Sequence, residues 1–233
     1  TDGSVLNAMA VHAAMGGSTN LLIHLPAIAC AAGLKVPRVE DWTQMNRSVP
    51  RIVDVLPNGP NNYMTVQVFL AGGVTEVMLH LRGLGLIDLN CLTVSGNSVG
   101  KNLEDWEGSE RRKRFRDILY EKDGVDPDDV IMSPDRAAEK GLARTLAFLK
   151  GNLAPDGAVV KSTSISPDLF LDDGIYFHEG KARVFVDEAS AISAVKSVGN
   201  DRVLPGEVIA LLGRGPIGAG MPETAQITSA LKY

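Results

Sequence analysis

The hydrophobic pattern of this 233-residue chain changes near residue 145, and that change constrains the fold more than any other feature. Before it, apolar residues recur at helical spacing, as in residues 4–15. After it, short β-rich runs alternate with turns such as Asp172-Asp173-Gly174. The pattern predicts an α/β domain over residues 1–145 and a β-rich domain over residues 146–233.

Breakers and caps place the individual elements. Ser4 is the expected cap of the first helix, and Pro26 is expected to kink the second because it has no N–H to donate. The predicted helices cover residues 4–15, 18–32, 74–82, 110–120, 137–140 and 188–198. The predicted strands cover residues 92–94, 158–160, 175–177, 182–186 and 208–212.

Composition favours a cytoplasmic protein that acts on small molecules. The 23 Lys and Arg residues are outnumbered by 28 Asp and Glu residues, and this balance argues against nucleic acid as the main partner. No apolar run is long enough for a membrane span. Two cysteines, Cys30 and Cys91, exclude a disulfide framework, and we expect both to be buried as small apolar residues.

Residues 213–218 (GRGPIG) match the dinucleotide-binding pattern G-x-G-x-x-G directly after a predicted strand. Pro216 weakens the match because it removes an N–H group where a pyrophosphate needs donors. The chain also has 15 residues after Gly218, too few to reach the acidic ribose ligand of that motif. A nucleotide-dependent oxidoreductase stays open as an alternative.

Two further segments offer polar groups next to glycines. Residues 16–20 (GGSTN) place hydroxyl and amide side chains at a helix start, which suits either ordinary capping or binding of a carboxylate or sugar hydroxyl. Glu223 follows Pro222 in the first turn of the last helix. There it either stabilises the helix dipole or binds a hard cation such as Mg²⁺.

The remaining candidates are a basic cluster and single histidines. Residues 111–116 (RRKRFR) lie among acidic residues, so a solvated helix face with i,i+4 ion pairs is favoured over an interaction module that binds nucleic acid. We expect His12 and His24, which lie among apolar helix residues, to be hydrogen-bonded core histidines.

Five segments, taken together and in order, resemble the dihydroxy-acid and 6-phosphogluconate dehydratase family. They are AMGGSTNLLIHLPAIACAAG (14–33), VLPNGP (55–60), FLAGGVTEVMLHL (69–81), GNLAPDGAVVKS (151–162) and GPIGAGMPE (215–223). Others look like the xylonate dehydratase branch of that family: VPRIVDVLPNGP (49–60), EGSERRKRF (107–115), DDVIMSP (128–134), VVKSTSI (159–165) and ETAQITSALK (223–232). The resemblance covers essentially the whole chain.

The resemblance implies a fold and a reaction. Family members combine a three-layer α/β domain with a β-barrel-like domain, and they form dimers or tetramers. They carry an iron–sulfur cluster, of 2Fe-2S or 4Fe-4S type, and a Mg²⁺ ion. These groups act as Lewis acids while water leaves a sugar acid and a serine removes the C2 proton. A D-xylonate dehydratase is therefore expected, with dihydroxy-acid and 6-phosphogluconate dehydratases as alternatives.

Carried over by residue, the resemblance makes Glu223 a Mg²⁺ ligand and places Ser18, Thr19 and Asn20 beside the substrate. The cluster cysteines and the other Mg²⁺ ligands are expected N-terminal to Thr1, and the base serine after Tyr233. We therefore expect the chain to be part of a longer protein, lacking both ends, and to be inactive by itself.

Overall fold

A computed structural model describes residues 1–215 and 225–232 of the chain. The fold is mixed α/β, and the chain forms two compact units, residues 1–166 and residues 167–233. The predicted domain boundary at residue 145 stays a prediction. No helix in the described part of the chain is long and apolar enough to cross a bilayer.

The first unit is mainly helical. Its helices are α1 (Asp2–Met15), α2 (Leu21–Ala31), α3 (Val39–Ser48), α4 (Thr65–Ala71), α5 (Gly73–Gly83), α6 (Val99–Glu107), α7 (Glu110–Asp123), α8 (Pro127–Val130) and α9 (Pro134–Glu139). An antiparallel hairpin follows, formed by β1 (Leu146–Gly151) and β2 (Ala154–Lys161). Its register pairs Leu146 with Lys161, and a 3-10 turn at Ser162–Ser164 follows directly.

A buried extended segment, residues 49–55, runs through the core of this unit. Ile52 N donates to Ala14 O at 2.9 Å, and Met132 N donates to Ile52 O at 2.8 Å. Val53 forms an isolated antiparallel bridge with Ile131. The segment therefore satisfies its backbone groups against α1 and against the chain between α8 and α9, while its apolar side chains fill the core.

The second unit has a small parallel sheet with one connecting helix. Strands β3 (Ala182–Phe185) and β4 (Val208–Leu211) pair in parallel, with Ala182 opposite Val208. Helix α10 (Glu188–Lys196) lies between them in sequence and buries Ala191 and Ala194. A 3-10 turn at Pro167–Leu169 begins the unit, and the described part of it also includes α11 (Ala225–Lys232).

Most predicted elements are confirmed, and two predicted strands are wrong. Residues 92–94 contribute a single bridge, Leu92 to Ser98, around a turn in which Thr93 N donates to Asn97 O at 2.9 Å. Side chains of that turn bond to neighbouring polar groups, which competes with strand pairing. Residues 175–177 contribute a single bridge, Phe170 to Tyr176, around an exposed turn. Thr1, not Ser4, caps α1, because its hydroxyl accepts the Ser4 N–H.

The basic cluster of α7 is mainly structural. Arg112 Nη2 lies 2.6 Å from Glu76 Oε1, its Nε donates to Glu76 Oε2 at 2.8 Å, and Arg116 lies 3.7 Å from the same carboxylate. Glu76 is on α5 and is 3% exposed. The prediction of i,i+4 ion pairs on a solvated helix face is therefore wrong for Arg112 and Arg116, because both contact a buried carboxylate on another helix.

Burial and charge act in opposite directions on Glu76. Burial alone would raise the pKa of this carboxyl, but the hydrogen bonds and positive charges of Arg112, with help from Arg116 and Trp106, lower the pKa below its ordinary value of 4.5. A lowered pKa in the folded state means that the unfolded state binds the proton more tightly. The ion pair thus stabilises the fold above about pH 4.5 and ceases to do so as pH falls through the lower folded pKa.

We expect Glu76→Gln to lower the free energy of unfolding by about 2 kcal/mol at pH 7, because two arginines lose their buried partner. This value is reduced for the partial exposure of both arginine side chains, 28% and 18%. Urea unfolding measures the change. The difference from wild type should narrow as pH falls below about 4.5, because the wild-type carboxylate then becomes protonated.

Asp105→Asn provides the matched control. Asp105 pairs with Lys101 on the exposed face of α6 at 2.7 Å, and both side chains are more than half exposed. Such surface pairs contribute little, so this change should alter stability by less than about 0.5 kcal/mol. Equal effects of the two substitutions would contradict the structural role of Glu76.

Candidate functional site

The first unit contains an open cavity of about 1020 Å³. The turn between α1 and α2, residues 16–20, forms one polar wall, and Val55–Asn58 forms another part of the lining. Apolar side chains such as Val11, Met15 and Val74 line much of the rest. A concave, mostly apolar site with a few convergent polar groups is the usual form of a small-molecule pocket.

Gly16 allows the turn at this wall to form. It ends α1 in the left-handed region, with φ of 64° and ψ of 47°, which a side chain disfavours. A Cβ atom at Gly16 would also lie 2.7 Å from Thr145 Cγ2 and 3.0 Å from Arg51 Nε. The turn is therefore packed directly on the residue that precedes the hairpin and on a buried arginine.

His12 fixes the next part of the turn. Its Nε2 lies 2.8 Å from Ser18 O, and since a carbonyl can only accept, Nε2 carries the hydrogen. Burial lowers the pKa of His12, more than the Ser18 bond raises it, so the ring is neutral near pH 7. The ring packs edge-on against Trp42 at 5.4 Å. The expectation of a hydrogen-bonded core histidine is confirmed for His12.

The backbone N–H groups at the start of α2 already donate hydrogen bonds within the turn. Leu21 N donates to Ser18 O at 3.2 Å, and Leu22 N donates to Thr19 O at 3.1 Å. Asn20 N donates to the Ser18 hydroxyl at 3.2 Å. The first N–H groups of the helix are therefore not open to a ligand, and the side chains of Ser18, Thr19 and Asn20, which line the cavity, are what this wall offers.

Asn58 joins the glycine turn to the hairpin. Its Nδ2 donates to Gly16 O at 3.3 Å, and its Oδ1 accepts the Thr163 hydroxyl at 3.2 Å. Its own carbonyl accepts from Arg51 Nη2 at 2.9 Å. The Asn58 side chain thus links Gly16 and Thr163, which lie far apart in the sequence, at the same wall of the cavity.

Three lining residues were missed as site residues by the sequence interpretation. Asn58 looked like part of a breaker-rich loop, and Lys161 looked like the last residue of a strand. His24 was expected in the core but is exposed and lines the cavity. On α2 the buried residues are Leu25 and Ala29, four residues apart, and His24 lies about 100° around the helix from Leu25.

The segments that form this wall lie within a region that matches a known protein family. Residues 1–102 match the dihydroxy-acid/6-phosphogluconate dehydratase N-terminal model, and residues 129–233 match the corresponding C-terminal model. The chain belongs to the dihydroxy-acid/6-phosphogluconate dehydratase family. The predicted family membership is confirmed.

Individual relatives give a finer comparison. Two D-xylonate dehydratases of Escherichia coli K12, YagF and YjhG, are 56% and 51% identical over the whole chain. A dihydroxy-acid dehydratase of Methylibium petroleiphilum is 37% identical over 99% of it. The chain spans about 35% of the length of the two xylonate dehydratases.

The described residues do not by themselves form a metal site. Among them, no group of three or more His, Cys, Asp or Glu side chains is arranged to hold a metal ion. Cys91 is buried beside Asp88, as expected of a small apolar residue, whereas Cys30 is exposed, and that prediction was wrong.

The predicted Mg²⁺ ligand Glu223 lies outside the described residues, as do residues 216–218, the second half of the G-x-G-x-x-G segment. In the described part of the second unit, β4 pairs with β3 in a sheet of two strands. A dinucleotide fold needs its glycine loop between the first strand of a larger parallel sheet and the following helix. No observation here favours the nucleotide alternative over the dehydratase family.

We expect Gly17→Ala to destabilise this family member by about 2 kcal/mol through steric overlap alone. Gly17 lies outside the left-handed region, but a Cβ atom there would overlap the His12 ring. Thermal or urea unfolding measures the loss. Replacing His12 by Ala as well removes the overlapping ring, so the double variant should lose about 1 kcal/mol less than the sum of the single losses.

Gly83→Ala serves as the control for the glycine change. Gly83 ends α5, and a Cβ atom there meets nothing within 4 Å. Since alanine is the better helix former, this variant should be neutral or slightly more stable. Additive losses in the double variant would contradict the contact between Gly17 and His12.

Proposed function

We propose that the full-length protein is a sugar-acid dehydratase, a hydro-lyase that converts D-xylonate to 2-dehydro-3-deoxy-D-pentonate and water. Membership of a dehydratase family supports the reaction class. The names of the two Escherichia coli relatives support the substrate class, since both are D-xylonate dehydratases and match the whole chain.

The observation that carries the proposal is the cavity beside residues 16–20. Ser18, Thr19 and Asn20 present two hydroxyls and a carboxamide along one wall. Each of these groups both donates and accepts hydrogen bonds, as the hydroxyls of a polyol do. A sugar acid carries several hydroxyls in a row. A wall of such side chains therefore suits a sugar acid better than it suits an apolar substrate.

The described residues would bind and orient the substrate. The hydroxyl and amide side chains of the turn hold the sugar hydroxyls, while apolar neighbours such as Val11, Met15 and Val74 limit the water around them. Orientation of this kind lowers the entropic cost of bringing the reacting C2 and C3 positions to the groups that act on them. The turn at Gly16, packed against Thr145 and Arg51, keeps that wall in place.

The other parts of the proposal rest on the family resemblance. We propose an iron–sulfur cluster and Mg²⁺ as cofactors, with Glu223 as a Mg²⁺ ligand and a serine after Tyr233 as the base. A bound Lewis acid would stabilise the charge that develops as water leaves. A three-layer α/β domain, a β-barrel-like domain, a homo-oligomer and a cytoplasmic location also remain predictions.

Relatives within the family separate the candidate substrates only in part. Six dihydroxy-acid dehydratases among the relatives are 34–37% identical to the chain, against 51% and 56% for the two xylonate dehydratases of Escherichia coli. The higher identity favours the sugar acid. A substrate panel separates the alternatives directly.

We expect the full-length protein, isolated without exposure to oxygen and supplied with Mg²⁺, to release a 2-keto-3-deoxy acid from D-xylonate. Its kcat/KM for D-xylonate should exceed those for 6-phosphogluconate and for a branched dihydroxy acid at least about tenfold. One misfit polar or charged group weakens transition-state binding by more than about 1.4 kcal/mol, which corresponds to that ratio. A coupled keto-acid assay reads all three. Preference for either alternative would overturn the proposed substrate.

We expect Glu223→Gln in the full-length protein to reduce turnover by about 100-fold or more and to raise the Mg²⁺ concentration required, because an amide is a weaker ligand for a hard cation than a carboxylate. The absorbance of the iron–sulfur cluster should be unchanged.

Glu179→Gln is the matched control, because Glu179 is an exposed glutamate of the same unit. It should leave both turnover and Mg²⁺ dependence near wild type. Wild-type behaviour of Glu223→Gln would remove Glu223 from the site.

A further inference from the structure

The cavity is unusual in the charges of its lining. Among the described residues that line it there is no Asp or Glu, while the basic side chain of Lys161 belongs to the lining. Of the two lining histidines, His12 is neutral near pH 7, because burial lowers its pKa and its Nε2 hydrogen is used on Ser18 O. The described lining is therefore positive overall and suits an anion.

Lys161 has no described partner, in contrast to the other lysine of the hairpin. Lys150 on β1 is exposed and pairs with Glu40 on α3. Lys161 at the end of β2 is half-buried, and its ammonium makes no hydrogen bond or ion pair with any residue that the structure describes. A half-buried ammonium without a carboxylate partner can bind an anionic ligand without first breaking a protein ion pair.

The backbone holds Lys161 against the polar wall by two routes. Its neighbour Ser162 donates its N–H to Thr145 O at 2.9 Å, and Thr145 packs on Gly16. On the other side, Thr163 bonds to the Asn58 side chain, which in turn bonds to Gly16 O. Lys161 is thus fixed at the same wall as Ser18, Thr19 and Asn20, rather than on a freely moving loop.

We propose that Lys161 binds the carboxylate of the sugar acid and thereby selects acids over neutral sugars, an inference that rests on the proposed sugar-acid dehydratase function. A carboxylate has two oxygens and about four acceptor sites, so one ammonium leaves room for other ligands on the same group. The apolar part of the lining strengthens the attraction, because charges interact more strongly away from bulk water.

The test measures binding without turnover in the full-length protein with its cofactors. Two probes are compared by isothermal titration calorimetry: 3-deoxypentonate, which lacks the C3 hydroxyl that leaves, and its neutral primary amide. We expect Lys161→Met to weaken binding of the acid about tenfold to 100-fold, the range of a charge-assisted hydrogen bond. Binding of the amide should change by less than about threefold, because the amide carries no charge for Lys161 to attract.

Two further variants separate charge from structure. Lys161→Arg keeps the charge and should keep most of the preference for the acid. Lys150→Met makes the same substitution on the other strand of the hairpin and should leave both affinities near wild type. If Lys161→Met does not fold, Lys161→Gln and Lys161→Arg give the same comparison of neutral and charged side chains.

The outcomes distinguish the two proposals. If Lys161→Met weakens binding of the acid and of the amide equally, or leaves the affinity for the acid unchanged, the proposed role of Lys161 is overturned while the dehydratase function stands. If the wild-type protein binds the acid through Lys161 but converts no sugar acid, the proposed role of Lys161 in charge recognition stands and the proposed reaction is overturned. A wild-type protein that binds neither probe overturns both.

Discussion

The guanidinium of Arg51 lies at the junction of the segments that form the cavity wall, and the arrangement of that wall depends on it. It is 4% exposed and donates to the carbonyls of Val53, Asn58 and Ala143 at 2.9–3.2 Å. Burial lowers the pKa of Arg51, and the negative charge of Asp54 opposes that shift, so the group remains charged. A buried charge of this kind fixes several backbone segments at once.

This constraint links the fold to the proposed chemistry. Arg51 supports the Asn58 carbonyl, the Asn58 side chain holds Gly16 and Thr163, and that contact places the end of β2 beside the turn before α2. Ser18, Thr19, Asn20 and Lys161 then line the same cavity. Under the proposed function, the hydroxyl and amide side chains would bind the sugar hydroxyls and Lys161 would bind the carboxylate.

The sequence predicted what depends on local patterning. Helices α1, α2 and α5 follow from apolar spacing and glycine stops, and strands β3 and β4 from β-rich runs, whereas their parallel pairing was not predicted. The roles of Asn58 and Lys161 could not be predicted, because they depend on contacts between segments more than 40 and more than 100 residues apart. The burial of Glu76 beneath Arg112 was missed for the same reason: nothing local shows which face of α7 meets α5.

The central claim is that the cavity beside residues 16–20 binds a sugar acid. A crystal structure of the full-length protein with 3-deoxypentonate tests it most directly. The account predicts density for the ligand in this cavity, with its hydroxyls within hydrogen-bond distance of Ser18, Thr19 or Asn20 and a carboxylate oxygen near Lys161 Nζ. Ligand density elsewhere, with this cavity holding solvent alone, would contradict it.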